Sequence, residues 1–517
     1  MAKTSAPRTS RKSPPLAVPV RRGRQDVLSE GNWTHLMSTD IPSRRMVLAA
    51  TPQRVHRSGW ARRAGSPYAG AVLIALIALI ALISIAVHLL PAPRPGPAHA
   101  LARILGPRAS EIAAIVIFVM TYVVIALGRI PGLRLDRAGA ALAGAACMVG
   151  SGALTLDEAY AAIDFDTITL LLGMMIVVAH LHLSGFFRVV SAWVALHARQ
   201  PLILLSAVVC ISGFFSAFLV NDTVCLVLTP LVLDLCIRLK RNPVPYLLAV
   251  AMASNVGSVA TITGNPQNII IGSLSSIPYA TFAATLGPLA AVGLLLTVAL
   301  LAWVFRAELR TTEEVLQCES DPAPGNRAPK PSRALMIKSV LVTLAMVAAF
   351  FAGVRPAAAA IGAAALMLLT RRVKSEKVYA ALDWPLLVMF SGLFIVVAGL
   401  EKIVLSPQVI DAVGMLHLER LSILSGLAAV LSNVVSNVPA VLVLKPFVSG
   451  LHDPQRAWLA LAMASTLAGN FTLVGSVANL IVARGAQLRG VHIGFWPYFK
   501  VGAPLTVLTL LMGVWWL

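Results

Sequence analysis

Ser254-Asn255-Val256-Gly257-Ser258-Val259-Ala260-Thr261-Ile262-Thr263-Gly264-Asn265-Pro266-Gln267-Asn268 interrupts an otherwise apolar run, and a second copy lies downstream. That copy reads Ser465-Thr466-Leu467-Ala468-Gly469-Asn470-Phe471-Thr472-Leu473-Val474-Gly475-Ser476-Val477-Ala478-Asn479. Thr261, Gly264 and Asn268 match Thr472, Gly475 and Asn479 at one offset, 211. Gly and Pro unwind a helix and free backbone groups. Lipid cannot satisfy those groups, so a break at membrane depth lines a cavity or is buried in protein. The matching extends well beyond the breaks. Tyr160-Ala161-Ala162-Ile163-Asp164 recurs as Tyr379-Ala380-Ala381-Leu382-Asp383, and Ile176–Ala179 recurs as Ile395–Ala398. Val227-Leu228-Thr229-Pro230 recurs as Val443-Leu444-Lys445-Pro446. Chance pairing of two apolar stretches would match Ala, Val and Leu, but not Asp, Asn, Thr, Gly and Pro in order. The chain is duplicated.

The composition fits a membrane protein. Of 517 residues, 58% are hydrophobic and 12% are charged, against about 45–50% and 25% in soluble domains. This excludes a secreted disulfide scaffold, a disordered chain and a typical cytosolic enzyme. Cys147, Cys210, Cys225, Cys236 and Cys318 have no CxxC spacing and read as small apolar packing residues. Tyr68–Leu90 is an uncharged N-terminal transmembrane helix. Further spans are predicted near 110–128, 137–153, 166–183, 280–305, 335–353, 356–370, 384–400 and 495–517. The domain reading is a basic tail 1–67, the helix 68–90, repeat 1 over 105–305, a linker 306–334 and repeat 2 over 335–517. The fold class is an all-α polytopic membrane protein.

Charge indicates that the repeats are inverted. Half of the net charge of +20 sits in the tail, where 13 Lys/Arg face Asp26, Glu30 and Asp40. A basic tail before a span is a cytoplasmic retention signal, so no nucleic-acid partner is expected; the partner is the bilayer. Met37 and Met46 are later candidate starts. Repeat 1 has no Lys or Arg from Ala138 to Phe187, whereas its counterpart loop in repeat 2 opens with Arg371-Arg372-Val373-Lys374. Short loops rich in Lys and Arg stay cytoplasmic, so equivalent loops lie on opposite sides. The path starts with a cytoplasmic N-terminus and ends with the C-terminus outside. It makes 201–237 a re-entrant hairpin from the inside and 420–450 one from the outside.

Paired breaks in inverted halves mark a transporter binding site. Each half offers two: a hairpin tip (Val220-Asn221-Asp222-Thr223 and Ser436-Asn437-Val438-Pro439) and a broken helix. The candidate substrate- and ion-binding residues are Asn221, Asp222, Thr223, Asn255, Thr261, Thr263, Gly264, Asn265 and Asn268 in repeat 1. In repeat 2 they are Ser436, Asn437, Asn470, Thr472, Gly475, Ser476 and Asn479. Half-helix N-termini offer N–H groups to an anion, and freed carbonyls and Asn oxygens offer ligands to a cation such as sodium near Asn221 and Asn437. Any one of these residues alone would more often glue helices together.

The Asn-bearing tips, the Gly-Asn-Pro-Gln-Asn break and the Ser-Asn-Val-Pro-Ala tip resemble the ion transporter superfamily, and its anion permeases most. That group includes arsenite permeases, the pigment P-protein, related sodium/proton antiporters and divalent anion:sodium symporters. The resemblance covers about residues 105–517. It implies two inverted repeats of five spans, a substrate site between tips and breaks, a scaffold with a moving transport part, and a homodimer. The dicarboxylate branch carries Ser-Asn-Thr at both tips and this chain does not, so the resemblance extends neither sodium coupling nor a dicarboxylate substrate to it.

Asp222 is an ionisable group at membrane depth, a functional hypothesis by default. It could carry a proton, ligate a cation, form a salt bridge, or be held by N–H groups at the tip. Lys445 is expected to snorkel to the outer interface. His180 and His182 point about 200° apart on a helix and cannot share a metal; one is expected to be packed and one interfacial. Asp164 and Asp383 read as helix N-caps, and Phe186–Gln200 as an amphipathic interfacial helix. The expected function is a secondary active permease of a small anion, driven by sodium or protons and needing no cofactor. The rivals are a cation/proton antiporter centred on Asp222 and a membrane-embedded enzyme, for which no nucleophile–base pair or metal cluster is found. No ATP-binding loop occurs, so ATP would enter only through a partner ATPase.

Overall fold

The computed structural model describes residues 109–127, 135–198, 200–310, 333–370, 372–404 and 416–517. The basic tail, the helix 68–90, Cys318 and the linker residues 311–332 lie outside the described residues. Repeat 1 is built from α1 (Ala109–Leu127), α2 (Arg137–Gly150), the short α3 (Leu156–Ala162), α4 (Phe165–Ser184) and α5 (Phe186–His197). The hairpin α6 (Pro201–Phe218) and α7 (Asn221–Arg238) follows. Then come α8 (Val244–Ser258), a 3-10 turn, α9 (Pro266–Ser275), α10 (Tyr279–Val304) and the short α11 (Arg306–Arg310). Repeat 2 runs in the same order. It has α12 (Arg333–Phe351), α13 (Pro356–Leu368), α14 (Ser375–Tyr379) and α15 (Trp384–Val404), then the hairpin α16 (Leu421–Val435) and α17 (Asn437–Val448). It closes with α18 (Pro454–Leu467), a 3-10 turn, α19 (Val477–Gln487) and α20 (Phe495–Trp516). Six of these helices are long and apolar enough to cross a membrane. The counterpart expected for α5, over 401–418, falls mostly on residues 405–415, outside the described residues.

Burial sorts the helices into layers. Residues 245–258 of α8 and 457–467 of α18 are buried throughout, as expected of helices apolar on every face. Around them α10, α12 and α20 expose Leu295, Trp303, Ile337, Leu341, Leu511 and Trp515. Apolar side chains on the outside match a lipid solvent. Between the layers the repeats pack crosswise at two glycines. A methyl on Gly173 of α4 would come 2.7 Å from the Ala360 carbonyl carbon of α13, and one on Gly392 of α15 would come 2.6 Å from that of Ala141 on α2. Both pairs are related by the repeat offset of 219. Close backbone approach at small residues is the usual device for association inside a membrane.

Contacts at the helix ends give the topology. The base of hairpin 1 carries Asp234, which pairs with Arg489 just after the end of α19. The base of hairpin 2 carries Lys445, which shares a cleft with Ser273 and Leu274 at the end of α9. Each broken helix thus starts beside its own hairpin base and ends beside the other. From the end of α9, the 26 residues of α10 return to the first base, where Asn242 Nδ2 donates to Glu308 Oε2 at 2.6 Å. That helix is about 39 Å long, so the two bases lie at opposite ends and the repeats are inverted. Lys445, expected to reach the outer interface, stands at that base with its Nζ 3.0 Å from Glu401 Oε1 at the end of α15. An acid within reach makes an ion pair that keeps the head in the cleft.

Candidate functional site

The two breaks are stitched identically. Asn268 Nδ2 donates to the carbonyls of Ser258 and Thr261, both at 3.0 Å. Asn479 Nδ2 donates to those of Gly469 (2.7 Å) and Thr472 (3.2 Å). These are carbonyls freed where α8 and α18 unwind, so one buried amide replaces the lost helical donors in each half. Asn265 caps α9 by accepting from Asn268 N at 2.8 Å, and Ser476 caps α19 by accepting from Ala478 N at 3.2 Å.

The breaks are then cross-linked. Asn255 Nδ2 donates to Asn470 Oδ1 (2.9 Å) and Asn479 Oδ1 (3.1 Å), and Ser476 Oγ donates to Asn255 Oδ1 (3.1 Å). Thr466, the repeat equivalent of Asn255, accepts from Asn265 Nδ2 and Gln267 Nε2, both at 3.1 Å, and donates to Asn268 Oδ1 at 3.4 Å. Each half therefore reaches across to satisfy the other's break. The tips join the same network. Asn221 Nδ2 donates to Asn255 Oδ1 at 3.2 Å. In the amide orientation that satisfies both its ends, Asn437 donates to the Ser465 and Gly475 carbonyls and accepts from Gln267 Nε2 at 3.1 Å. Such a network is stable only when nearly every member is satisfied.

Beside it lies a cavity of about 40 Å³. Four helix N-termini open onto it: Asn221 and Asp222 of α7, Pro266 and Gln267 of α9, Asn437 of α17, and Val477 of α19 with its cap Ser476. Each carries roughly half a positive charge from its unpaired N–H groups. Leu386, Met389 and Phe390 of α15 and Ile125 of α1 form the apolar wall. Arg137, the first residue of α2, completes the lining. Arg137 and Asp383, which caps α15 through Leu386 N at 3.2 Å, are charges that act on Asp222. Among the described residues Asp222 accepts no hydrogen bond and forms no ion pair, so of the four alternatives the salt bridge and the satisfaction by N–H groups at the tip are not found.

Most of the sequence candidates meet here, but four threonines do not. Asn221, Asp222, Ser436, Asn437 and Ser476 line the cavity. Asn255, Asn265, Asn268, Asn470 and Asn479 are buried in the network behind it, and Gly264 and Gly475 lie in its turns. Thr261 donates to the Ala217 carbonyl, bracing hairpin 1. Thr263 bonds Tyr279 Oη at 2.8 Å, away from the cavity. Thr472 is half-buried, 3.5 Å from Asn433 Oδ1, and Thr223 is half-buried outside the lining. Sequence reasoning missed Arg137, Gln267 and Thr466. Thr466 could have been found as the repeat equivalent of Asn255. Arg137 had a weaker signal: repeat 2 carries Pro356 at the equivalent place, so the charge is an asymmetry of the duplication. His180 is packed, with Nδ1 2.9 Å from the Ile176 carbonyl, and His182 is exposed. Asp164 caps α4 and also bonds Ser273.

A second cleft, about 590 Å³, lies between Lys445, Glu401, Asp164, Asp166 and Ser273 at the other hairpin base. No cluster of three His, Cys, Asp or Glu suited to a metal occurs among the described residues.

Residues 115–468 match a family described as citrate transporter. A protein of Mycobacterium tuberculosis (strain ATCC 25618 / H37Rv), described as an uncharacterized transporter, is 32% identical over 426 residues, covering 78% of this chain and 97% of its own. A silicon efflux transporter of Oryza sativa subsp. japonica is 29% identical over 450 residues, covering 74% and 93%. The crystal structure of the Alcanivorax borkumensis YdaH transporter aligns with a TM-score of 0.46 at 16% identity, over 86% of this chain and 95% of that one. A match over most of its length, together with relatives of this kind, means that the chain belongs to the citrate transporter family, a multi-pass membrane group within the ion transporter superfamily its motifs resemble.

Proposed function

We propose that the chain is a secondary active permease of a small anion, working by alternating access of the elevator type. One observation carries the reading: four helix N-termini and Arg137 converge on a single cavity. Partial positive charges fixed in a low dielectric favour an anion and need no reorganisation to receive it. The hairpins, α8–α10 and α18–α20 would move as the transport part against a scaffold of α1, α2, α4, α12, α13 and α15, and the scaffold would hold a second copy in a homodimer. A proton or sodium gradient supplies the driving force. By the positive-inside rule the base with Arg238, Lys240, Arg484 and Arg489 faces the cytoplasm, giving a cytoplasmic N-terminus and an external C-terminus.

The test is uptake in proteoliposomes of purified protein under imposed proton and sodium gradients, across phosphate, sulfate, citrate, succinate and arsenite. Gradient-dependent anion flux that vanishes in Asn221→Ala supports the permease and identifies the coupling ion. Asp222, a carboxylate in the cavity with no direct partner, favours one second reading, a cation/proton antiporter. Proton-coupled sodium movement without anion flux would establish that instead.

A further inference from the structure

Equivalent residues of the two halves meet the scaffold differently. The cavity touches the start of α15 through Leu386, Met389 and Phe390, whereas their equivalents on α4, Thr167, Leu170 and Leu171, are buried and do not line it. Because the halves are inverted, the starts of α15 and α4 point to opposite ends of the molecule. The tips therefore stand toward one end of the scaffold, on the side of the hairpin 1 base. At the other base two polar contacts cross between hairpin 2 with α9 and the scaffold. Lys445 of α17 places its Nζ 3.0 Å from Glu401 Oε1 and 3.4 Å from Oε2 on α15. Ser273 of α9 donates to Asp164 at the cap of α4. Both contacts border the cleft of about 590 Å³, so packing around them is open.

The hairpin 1 base is built otherwise. The equivalents of Lys445 and Glu401 are Thr229 and His182, which are not opposite charges. Thr229 packs on α19, where a methyl on Gly485 would come 2.9 Å from its Cγ2. The equivalents of Ser273 and Asp164 are Arg484 and Asp383. These are opposite charges, both exposed, yet they form no ion pair among the described residues. We propose that the two bases carry alternating latches. Lys445–Glu401 and Ser273–Asp164 hold the transport part in the position seen, and Arg484 pairs with Asp383 once it has slid to the opposite one. The inference rests on the elevator reading. In inverted repeats the second position follows by exchanging the roles of the halves. Arg484 then stands to Asp383 as Ser273 now stands to Asp164, while Lys445 and Ser273 leave their partners. A latch that opens in every cycle has to be weak. Lys445 is 33% and Glu401 20% exposed, so solvent screens the pair and it biases the two positions by about fivefold.

The test is the rate at which a short bis-maleimide joins Asp383→Cys to Arg484→Cys in the purified full chain. Mass spectrometry of the joined peptides identifies the link, so the native cysteines stay in place. Lys445→Met in that background is expected to speed the reaction about fivefold. Lys445→Glu combined with Glu401→Lys is expected to return it to the starting rate. An unchanged rate in a Lys445→Met protein that elutes as wild type overturns the latch and leaves the elevator standing. If Lys445→Met does not fold, Glu401→Gln, which keeps the shape and loses the charge, carries the same expectation. No link between positions 383 and 484 in any folded variant, while wild type carries anion flux, overturns the sliding and the latch with it. A rate that answers to Lys445 in a protein without anion flux supports the latch and defeats the permease reading alone.

Discussion

Asn268 and Asn479 show how much a single buried amide does here. Each bridges two carbonyls that the unwound helix has released, and both are fully buried. Removing such a donor leaves two acceptors without a partner, at about 1–3 kcal/mol per group. Asn268→Ala and Asn479→Ala should therefore lower the melting temperature by similar amounts, measured by thermal unfolding in detergent, and each should abolish flux. Ser436, at the second tip, sits at φ +80°, a region that L residues rarely adopt. Holding it there costs on the order of 1–3 kcal/mol. Ser436→Gly should relieve that strain, so the same melts should show a more stable protein. At the surface, Glu158 closes a capping box with Thr155 and pairs with Lys402 at 2.6 Å. The Lys402 ammonium and then the Thr155 N–H hold its carboxyl down at about 2, below the usual 4.5. A depressed carboxylate contributes stability above its unfolded value, and that contribution fades as the pH falls from 4.5 toward 2. Both side chains are over two-fifths exposed, so screening keeps the ion pair under about 1 kcal/mol. Glu158→Gln keeps the box and loses the pair. Its small deficit at pH 7 should shrink over that window in melts run across pH.

The helices divide into those recognisable by their own pattern and those recognisable only through their equivalents. The spans 110–128, 166–183, 280–305, 335–353, 384–400 and 495–517 announce themselves by length and hydropathy, and helices stand at all six. The interrupted segments needed the repeat. Asn265 and Pro266 begin α9, and Ser476 begins α19, because an Asx or Ser cap after an unwound turn restarts a helix. What no local pattern shows is which helix packs on which. Gly173 and Gly392 look like any glycine in an apolar run. Their role emerges from the crossed contacts with Ala360 and Ala141. Gly173→Leu and Gly392→Leu should each force the halves apart, with a large loss of folded yield by fluorescence size-exclusion chromatography. Gly426, with open space around it inside α16, should gain up to about 1 kcal/mol from alanine, the better helix former.

For the whole molecule, inversion appears twice, in loop charge and in the placement of the helix ends. Arg489 meets Asp234 at one hairpin base, and the end of α9 meets Lys445 at the other. A cysteine at Arg489 should therefore react with a membrane-impermeant maleimide only after the cell is opened, and one at Asp453 in intact cells; both reacting from one side would refute the topology. The sequence by itself determined the membrane class, the duplication, the breaks and the residue types at the candidate site. It could do so because lipid penalises every free backbone group, and a chain that breaks its helices at depth must do so visibly, with Gly, Pro and Asn in register. Only the tertiary structure decided that Arg137 enters the cavity, that Thr263 and Thr223 turn away from it, and that Lys445 pairs with Glu401. Those outcomes depend on distances between elements far apart in the chain. A charge read at a helix end has the same sequence signature whether it faces water, an acid or a cavity.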